Sequence, residues 1–456
     1  MKRQFTSRRE LLFDALGGYG GLALTSMLAE GAQVNARAKS VISLFMSGGV
    51  SHVDTFDPKP ALQKYSGQPL TGVGDVVVRQ GHPGPLMPSP FSFKRYGQCG
   101  MEVSEIFPKM ASHADDIALL RSVYSKSNDH VQAHFASSTG MIRMGFPSLG
   151  SWVSYGLGTE NKNLPAYVVL YDAHGAPFGG PANWSAGFMP ATYQGTVFRA
   201  SGVPIIDLNP PAGMDATSQR ARLDLLHKLN EMDAAAHPGN SELAARIESY
   251  ELAYRMQGVA PEAVDVSRES EATRKLYGLD NPITEPFARQ CIMARRLVER
   301  GVRMVQLYHG GLGNQNADTW DAHENIQTNH AKHAAEVDQP IHGLLTDLKA
   351  RGLFDTTLVT WQGEFGRMPI SQRGLGRDHN PGAMSMWMAG AKIRGGQMIG
   401  TTDEFGYKAQ EQPISIHDLH ATILHLMGID HMKLTYRFNG RDMRLTDVYG
   451  ELIPQI

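Results

Sequence analysis

Val41-Ile42-Ser43-Leu44-Phe45-Met46 passes, by way of Ser47, into Gly48-Gly49-Val50-Ser51-His52-Val53-Asp54-Thr55-Phe56-Asp57-Pro58-Lys59-Pro60. A short apolar run that breaks into glycine and proline reads as a buried strand ending in a loop. The loop carries two carboxylates and a histidine, where a plain turn would carry only small polar residues. The pattern recurs twice. Val302–Tyr308 leads to His309, Asp318, Asp321 and His323, and Thr357–Trp361 leads to Gln362-Gly363-Glu364-Phe365-Gly366-Arg367, followed by Arg377, Asp378 and His379. Ligands of open α/β sheets collect at the carboxyl ends of the strands. Three runs with such endings therefore predict one convergent site with metal-binding chemistry.

Between these runs the chain alternates strand-like and helix-like segments, the βαβ rhythm of a doubly wound, mostly parallel sheet with helices on both faces. Further strands are expected at Ile117–Val123, Ala166–Tyr171 and Met384–Met388. Helices are expected at Ser104–His113, Leu149–Leu157, Phe287–Arg300, about Thr328–Ala350 and Ile416–Met427. Gln68–Tyr96 is rich in Gly and Pro and reads as an irregular loop. Residues 173–265 interrupt the rhythm, first with glycine, proline and aromatics and then with a polar helical stretch, as a cap-like insertion over the strand ends would.

The 456 residues include 43 Lys+Arg against 45 Asp+Glu, so no basic surplus points to nucleic acid or an anionic membrane. Histidine is plentiful at 18 residues, more than ordinary surface and core use explains. Cys99 and Cys291 form no zinc-type pair; they are either one disulfide or two thiols. At the start, Arg8-Arg9 precedes a mildly apolar, glycine-broken stretch, Phe13–Leu28, and Ala36-Arg37-Ala38 offers a cleavage site. Residues 1–38 read as a twin-arginine export signal, cleaved or kept as a tether. That predicts the Tat machinery as a partner and a periplasmic or otherwise exported protein, with no membrane span after the signal.

Each cluster has a chemical reading and a plainer one. Small neighbours let Asp54, and His52 beside it, reach a cation, whereas Asp57-Pro58 is explained by turn chemistry. Asn128-Asp129-His130 opens a helix-like run in which His130 and His134 share a face; either Asn128 or Asp129 also suits a helix N-cap. Asp321-Ala322-His323 joins a hard oxygen to an imidazole nitrogen, which suits zinc, manganese or iron. His330 and His333, on the following helix, read as a solvated face. Glu364 between glycines at a strand end is expected to bind metal or pair with Arg367, and Asp378-His379 to complete the ligand set. Arg367 and Arg377 suit bidentate recognition of a phosphate or sulfate.

These clusters resemble a known family. G-G-V-S-H-V-D-T-F-D-P-K-P, N-D-H…S-T-G at Asn128–Gly140, W-D-A-H at Trp320–His323, G-E-F-G-R at Gly363–Arg367, G-R-D-H at Gly376–His379 and Asn439-Gly440-Arg441 carry the likeness over the whole chain after the signal. The family is domain-of-unknown-function 1501, a branch of the alkaline phosphatase/sulfatase superfamily. The resemblance implies a doubly wound fold, a binuclear metal site and hydrolysis of phosphate or sulfate esters. Asp54, Asp321, His323, Glu364 and His379 stand at its ligand positions. Two departures matter: Phe365 replaces a histidine ligand, and His130 stands where the superfamily keeps a hydroxyl or formylglycine nucleophile. Ser125 and Ser127 fall short of that position, and no C-x-P-S-R motif exists.

The expectation is therefore an exported metal-dependent hydrolase of a small-molecule or saccharide ester, without formylglycine. One or two divalent ions (zinc, manganese, iron or calcium) would lie on His52, Asp54, Asp321, His323, Glu364, Asp378 and His379. His130, with Asn128 and Asp129, would be the acid/base, and Arg367 and Arg377 would hold the anion. The competing expectation is a non-catalytic exported binding protein on the same fold.

Overall fold

A computed structural model describes residues 34–79, 81–199, 205, 213–236, 241–313 and 317–456; residues 1–33 of the expected signal lie outside it. Nine strands of one sheet organise the described residues. They are β1 (Ser40–Met46), β2 (Ile117–Tyr124), β3 (Tyr167–Tyr171), β4 (Thr196–Arg199), β5 (Met304–His309), β6 (Thr357–Gln362), β7 (Met384–Gly390), β8 (Gln397–Ile399) and β9 (Ile414–Ser415). Their order is β8-β2-β7-β6-β1-β5-β3-β4, with β9 also pairing β2. β7 is antiparallel to both neighbours, and every other pairing is parallel. The sequence's six strands are all in this sheet. β1 lies at its centre, with Leu44 opposite Trp361 on one side and Leu307 on the other.

Side chains alternate across the sheet, so β1 feeds two cores. Ile42, Leu44 and Met46 join one with Leu307 and Trp361, while Val41 and Phe45 join the other with Tyr308 and Leu358. The first core is closed by helices at Glu285–Glu299 and Ile326–Ala350, the second by helices at Leu149–Leu157 and Ile416–Leu426. Burial on both faces explains why β1 is a continuous apolar run.

Other segments differ from expectation. Ser104–His113 is mostly irregular, with a 3-10 turn only from Met110 to Asp116, because Met101–Ser104 pairs as a small hairpin with Phe93–Tyr96. The 173–265 segment divides three ways. Its Phe178 lies over the ligand end of the sheet, Thr196–Arg199 becomes edge strand β4, and the end of the Ser241–Val264 helix puts Met256, Ala260 and Ala263 into the core. His330 and His333 are buried, not solvated, since their helix lies directly on the sheet. Cys99 and Cys291 are separate thiols. Val34 N–H donates to Gly428 O (2.7 Å), and Arg37 and Ala38 N–H donate to Leu426 O (2.8 Å each), so the Ala36–Ala38 stretch is docked at the end of the last helix. No described helix is long and apolar enough to cross a membrane.

Candidate metal centre

The carboxyl ends of β1, β2, β5 and β6 all open on one side, and their loops meet there. After β1, Gly48 takes φ +118°, and a Cβ on it would stand 2.5 Å from Asp321 N. Glycine is thus needed for the two loops to touch. After β2, Asp129 caps the helix His130–Thr139, accepting from Val131 N–H (3.1 Å) and Gln132 N–H (3.2 Å). That cap fixes His130 as the first helical residue, aimed across the strand ends.

Four side chains converge: His130, Asp321, His323 and His379 each offer a ligand atom, all within 4.8 Å of one another. His323 Nε2 lies 2.9 Å from both Asp321 Oδ1 and His379 Nε2. His379 Nε2 is 3.3 Å from Asp321 Oδ1, and His130 Nε2 is 3.3 Å from Asp321 Oδ2 without the alignment of a hydrogen bond. The far side of each ring decides what these nitrogens are. His130 Nδ1 donates to Glu364 Oε1 (2.7 Å), His379 Nδ1 donates to Asn128 O (2.6 Å), and His323 Nδ1 contacts Gln372 Oε1. With hydrogen on Nδ1, each ring in its neutral form presents a bare Nε2 to the centre. Two such lone pairs 2.9 Å apart repel unless a cation lies between them. This is the arrangement in which outer oxygens orient metal-binding imidazoles.

Electrostatics agree. Burial would raise the Asp321 carboxyl, but Arg367 and the three histidines hold it well below its usual range. Burial, reinforced by Arg367 and His130, lowers His379 to about 4, keeping it neutral. Burial would lower His130 too, yet the flanking carboxylates of Asp321 and Glu364 raise it. The centre is reachable: the side chain of Asp321 is 25% exposed and that of His323 13%. Phe178 stacks on His130 (4.1 Å, 7°) and Phe365 lies 4.5 Å from His379, walling it with apolar rings.

The remaining sequence candidates sit around the centre without entering it. Asp54 and Arg377 pair with each other: Arg377 Nε donates to Asp54 Oδ2 (2.7 Å) and Nη2 to Oδ1 (3.1 Å), both fully buried. The expectation of a metal on Asp54 and an anion on Arg377 is corrected on this ground. Arg367 donates to Gly49 O (2.8 Å), Arg377 O (3.0 Å) and Asp321 Oδ1 (2.6 Å), so it orients a ligand loop and has no open face for substrate. His52 donates Nε2–H to Gly406 O (2.7 Å) and is buried away from the four-residue group. Glu364 accepts from Gly48 N–H (2.9 Å) as well as His130, which makes it an outer partner instead of a ligand. Asp378 accepts from His379 N–H (2.9 Å) and Arg79 N–H (2.5 Å). Asn128 contributes its carbonyl and Asp129 its cap, while His130 joins the ligand-type set. Gln372, Phe178 and Arg79 were missed; nothing in their local sequence marks them.

A second group, His309, His333 and Glu336, is equally compact. Here Trp320 Nε1–H donates to His309 Nδ1 (3.0 Å), which places hydrogen on Nε2, and Nε2 donates to Glu336 (3.0 Å). His333 Nδ1 donates to the same oxygen (2.9 Å). No lone pair of His309 faces the carboxylate, so this group is a hydrogen-bonded brace and does not fit a metal.

Fold and site define an α/β protein with a histidine–carboxylate centre at its strand ends. The chain belongs to the family described as "Protein of unknown function (DUF1501)", which matches over residues 38–456. No curated protein sequence matches it. Among solved structures it is similar to the sulfatase PsFucS1 from Pseudoalteromonas sp. (12% identity, TM-score 0.37, covering 93% of this chain and 76% of that one). It is also similar to a phosphonate monoester hydrolase from Silicibacter pomeroyi (12%, 0.37, 74% and 71%) and to alkaline phosphatase from the Antarctic bacterium TAB5 (11%, 0.36, 87% and 99%). Likenesses this slight carry no argument about what this chain does.

Proposed function

We propose that the protein is an exported, metal-dependent hydrolase of phosphate or sulfate esters, with one divalent transition ion held by His130, Asp321, His323 and His379. The observation that supports it is the three imidazoles whose Nδ1 atoms are tied to oxygen, leaving Nε2 atoms turned on Asp321. Three nitrogens and one carboxylate suit zinc, manganese or iron and speak against calcium, which takes oxygen. When bound, such an ion polarises an ester oxygen and acidifies water. Glu364 fixes the His130 tautomer, Arg367 holds Asp321 in register, and Phe178 and Phe365 exclude water from one flank. His130 stands at the superfamily's nucleophile position, and the nearby Ser127 Oγ donates to Gln132 (2.9 Å), so attack by water instead of a serine is part of the proposal. The ester class comes from the superfamily resemblance. The Arg8-Arg9 signal supports export.

The same missing hydroxyl favours a second reading, a non-catalytic exported binding protein. Elemental analysis of the purified protein beside the Asp321→Ala/His323→Ala variant separates them from the start. One transition-metal equivalent, absent from the variant, together with hydrolysis of an aryl phosphate or aryl sulfate is the expected result. Metal with no turnover of any ester would leave the binding protein. A folded, metal-free protein would remove both the ion and the hydrolase.

A further inference from the structure

With Arg367 and Arg377 held in buried bonds, an arginine that meets a substrate oxyanion beside the metal has to be a different one. We infer that Arg79, in the Gly/Pro-rich 68–96 loop, is that residue and clamps the phosphate or sulfate group of the ester; this rests on the hydrolase reading above. Two contacts place it. Its backbone N–H donates to Asp378 Oδ2 (2.5 Å), next to the ligand-type His379, and its Nη2 lies 3.0 Å from Asp129 Oδ2, next to the ligand-type His130. Arg79 thus ties together the two segments that flank the centre, main chain to one and side chain to the other.

Its guanidinium differs from the other two in availability. The Arg79 side chain is 47% exposed and its partner Asp129 36%, whereas Arg367 and Arg377 are completely enclosed. An exposed ion pair contributes little net stability, because water screens it and two long side chains must be held still. Exchanging Asp129 for a substrate oxyanion therefore costs little, and Asp129 keeps its other oxygen on the helix N-terminus. The planar fork of arginine suits the tetrahedral anion, which takes two parallel hydrogen bonds from it.

The test uses the metal-loaded full chain, with inorganic phosphate and sulfate titrated calorimetrically into wild type, Arg79→Gln and Arg79→Lys. Loss of a charge-assisted bidentate contact should raise the phosphate dissociation constant roughly tenfold or more in the Gln variant, with partial recovery in Lys. Metal equivalents and melting temperature should not move, and with an ester turned over, KM should rise more than kcat falls. Unchanged anion affinity in Arg79→Gln overturns the inference even where esters are hydrolysed, and so does a wild type that binds neither anion. Anion binding that depends on Arg79 in a protein that hydrolyses no ester upholds the clamp and removes the hydrolase.

Discussion

The Asp321 group and the Glu336 group are built from the same residue types, and each brings its nitrogen and oxygen atoms within 4.8 Å. They part company on the far side of the rings. Around Asp321 the outer positions are taken by oxygen acceptors, namely Glu364, Asn128 O and Gln372. Around Glu336 the outer position of His309 is taken by a donor, the Trp320 indole. An acceptor outside leaves a lone pair inside; a donor outside leaves a hydrogen inside. Whether a histidine cluster offers lone pairs or hydrogens to its centre is thus set one bond further out than the cluster itself. The two groups are also mechanically joined, since Trp320 immediately precedes Asp321 and its N–H is held by Ser47 O (2.9 Å).

Three experiments bear on this contrast. The largest effect is expected from Glu364→Gln, which removes the charge behind His130 while leaving its shape. Outer partners of this kind are worth roughly 10–100-fold in metal affinity, readable by chelator competition, with the circular dichroism spectrum unchanged. Wild-type affinity in that variant would break the claim that the outer oxygen matters.

Glu336→Gln should act on stability and leave the metal alone. Burial would raise the Glu336 carboxyl, but hydrogen bonds from His309 and His333 outweigh it and lower it. A carboxyl depressed in the fold stabilises fully above its unfolded value of about 4.3 and loses that contribution as the pH falls below it. The variant should cost about 1–3 kcal/mol at neutral pH and flatten the acid limb of a urea-denaturation profile. Loss of a metal equivalent instead would show that the second group is a cation site after all.

The smallest effect on binding, and the sharpest, is expected from Trp320→Phe. Losing one buried hydrogen bond costs about 1 kcal/mol, and the core space the indole vacates adds to that. The change also frees His309 Nδ1 to take the hydrogen, so Nε2 can present its lone pair. A new, weak zinc equivalent in titration would show that the indole alone kept the group from binding. With no new equivalent, something other than the tautomer divides the two groups.

Much of this was legible in sequence, because burial on both faces writes β1, β5 and β6 as mostly apolar runs with few polar residues among them. The antiparallel course of β7 was not, since Met384–Gly390 has the same apolar pattern whichever way it runs. The gathering of Asp321, His323 and His379 at the strand ends was readable from residue type and position. Asp54 and Arg377 were misassigned because their partners are each other, 323 residues apart. Glu364 and Arg367 sit at strand ends as ligands do, and only their hydrogen bonds show that they turn to His130 and Asp321 instead. His333 looked solvated because Lys332 beside it and Glu336 one turn further on are polar; the sheet that covers it is elsewhere in the chain.

The docking of Val34–Ala38 against Leu426 and Gly428 couples the two extremities of the polypeptide. The stretch ahead of the central strand has nothing to fasten to until Leu426 and Gly428 have been made and their helix has closed. The first of the described residues are therefore among the last that the fold can seat.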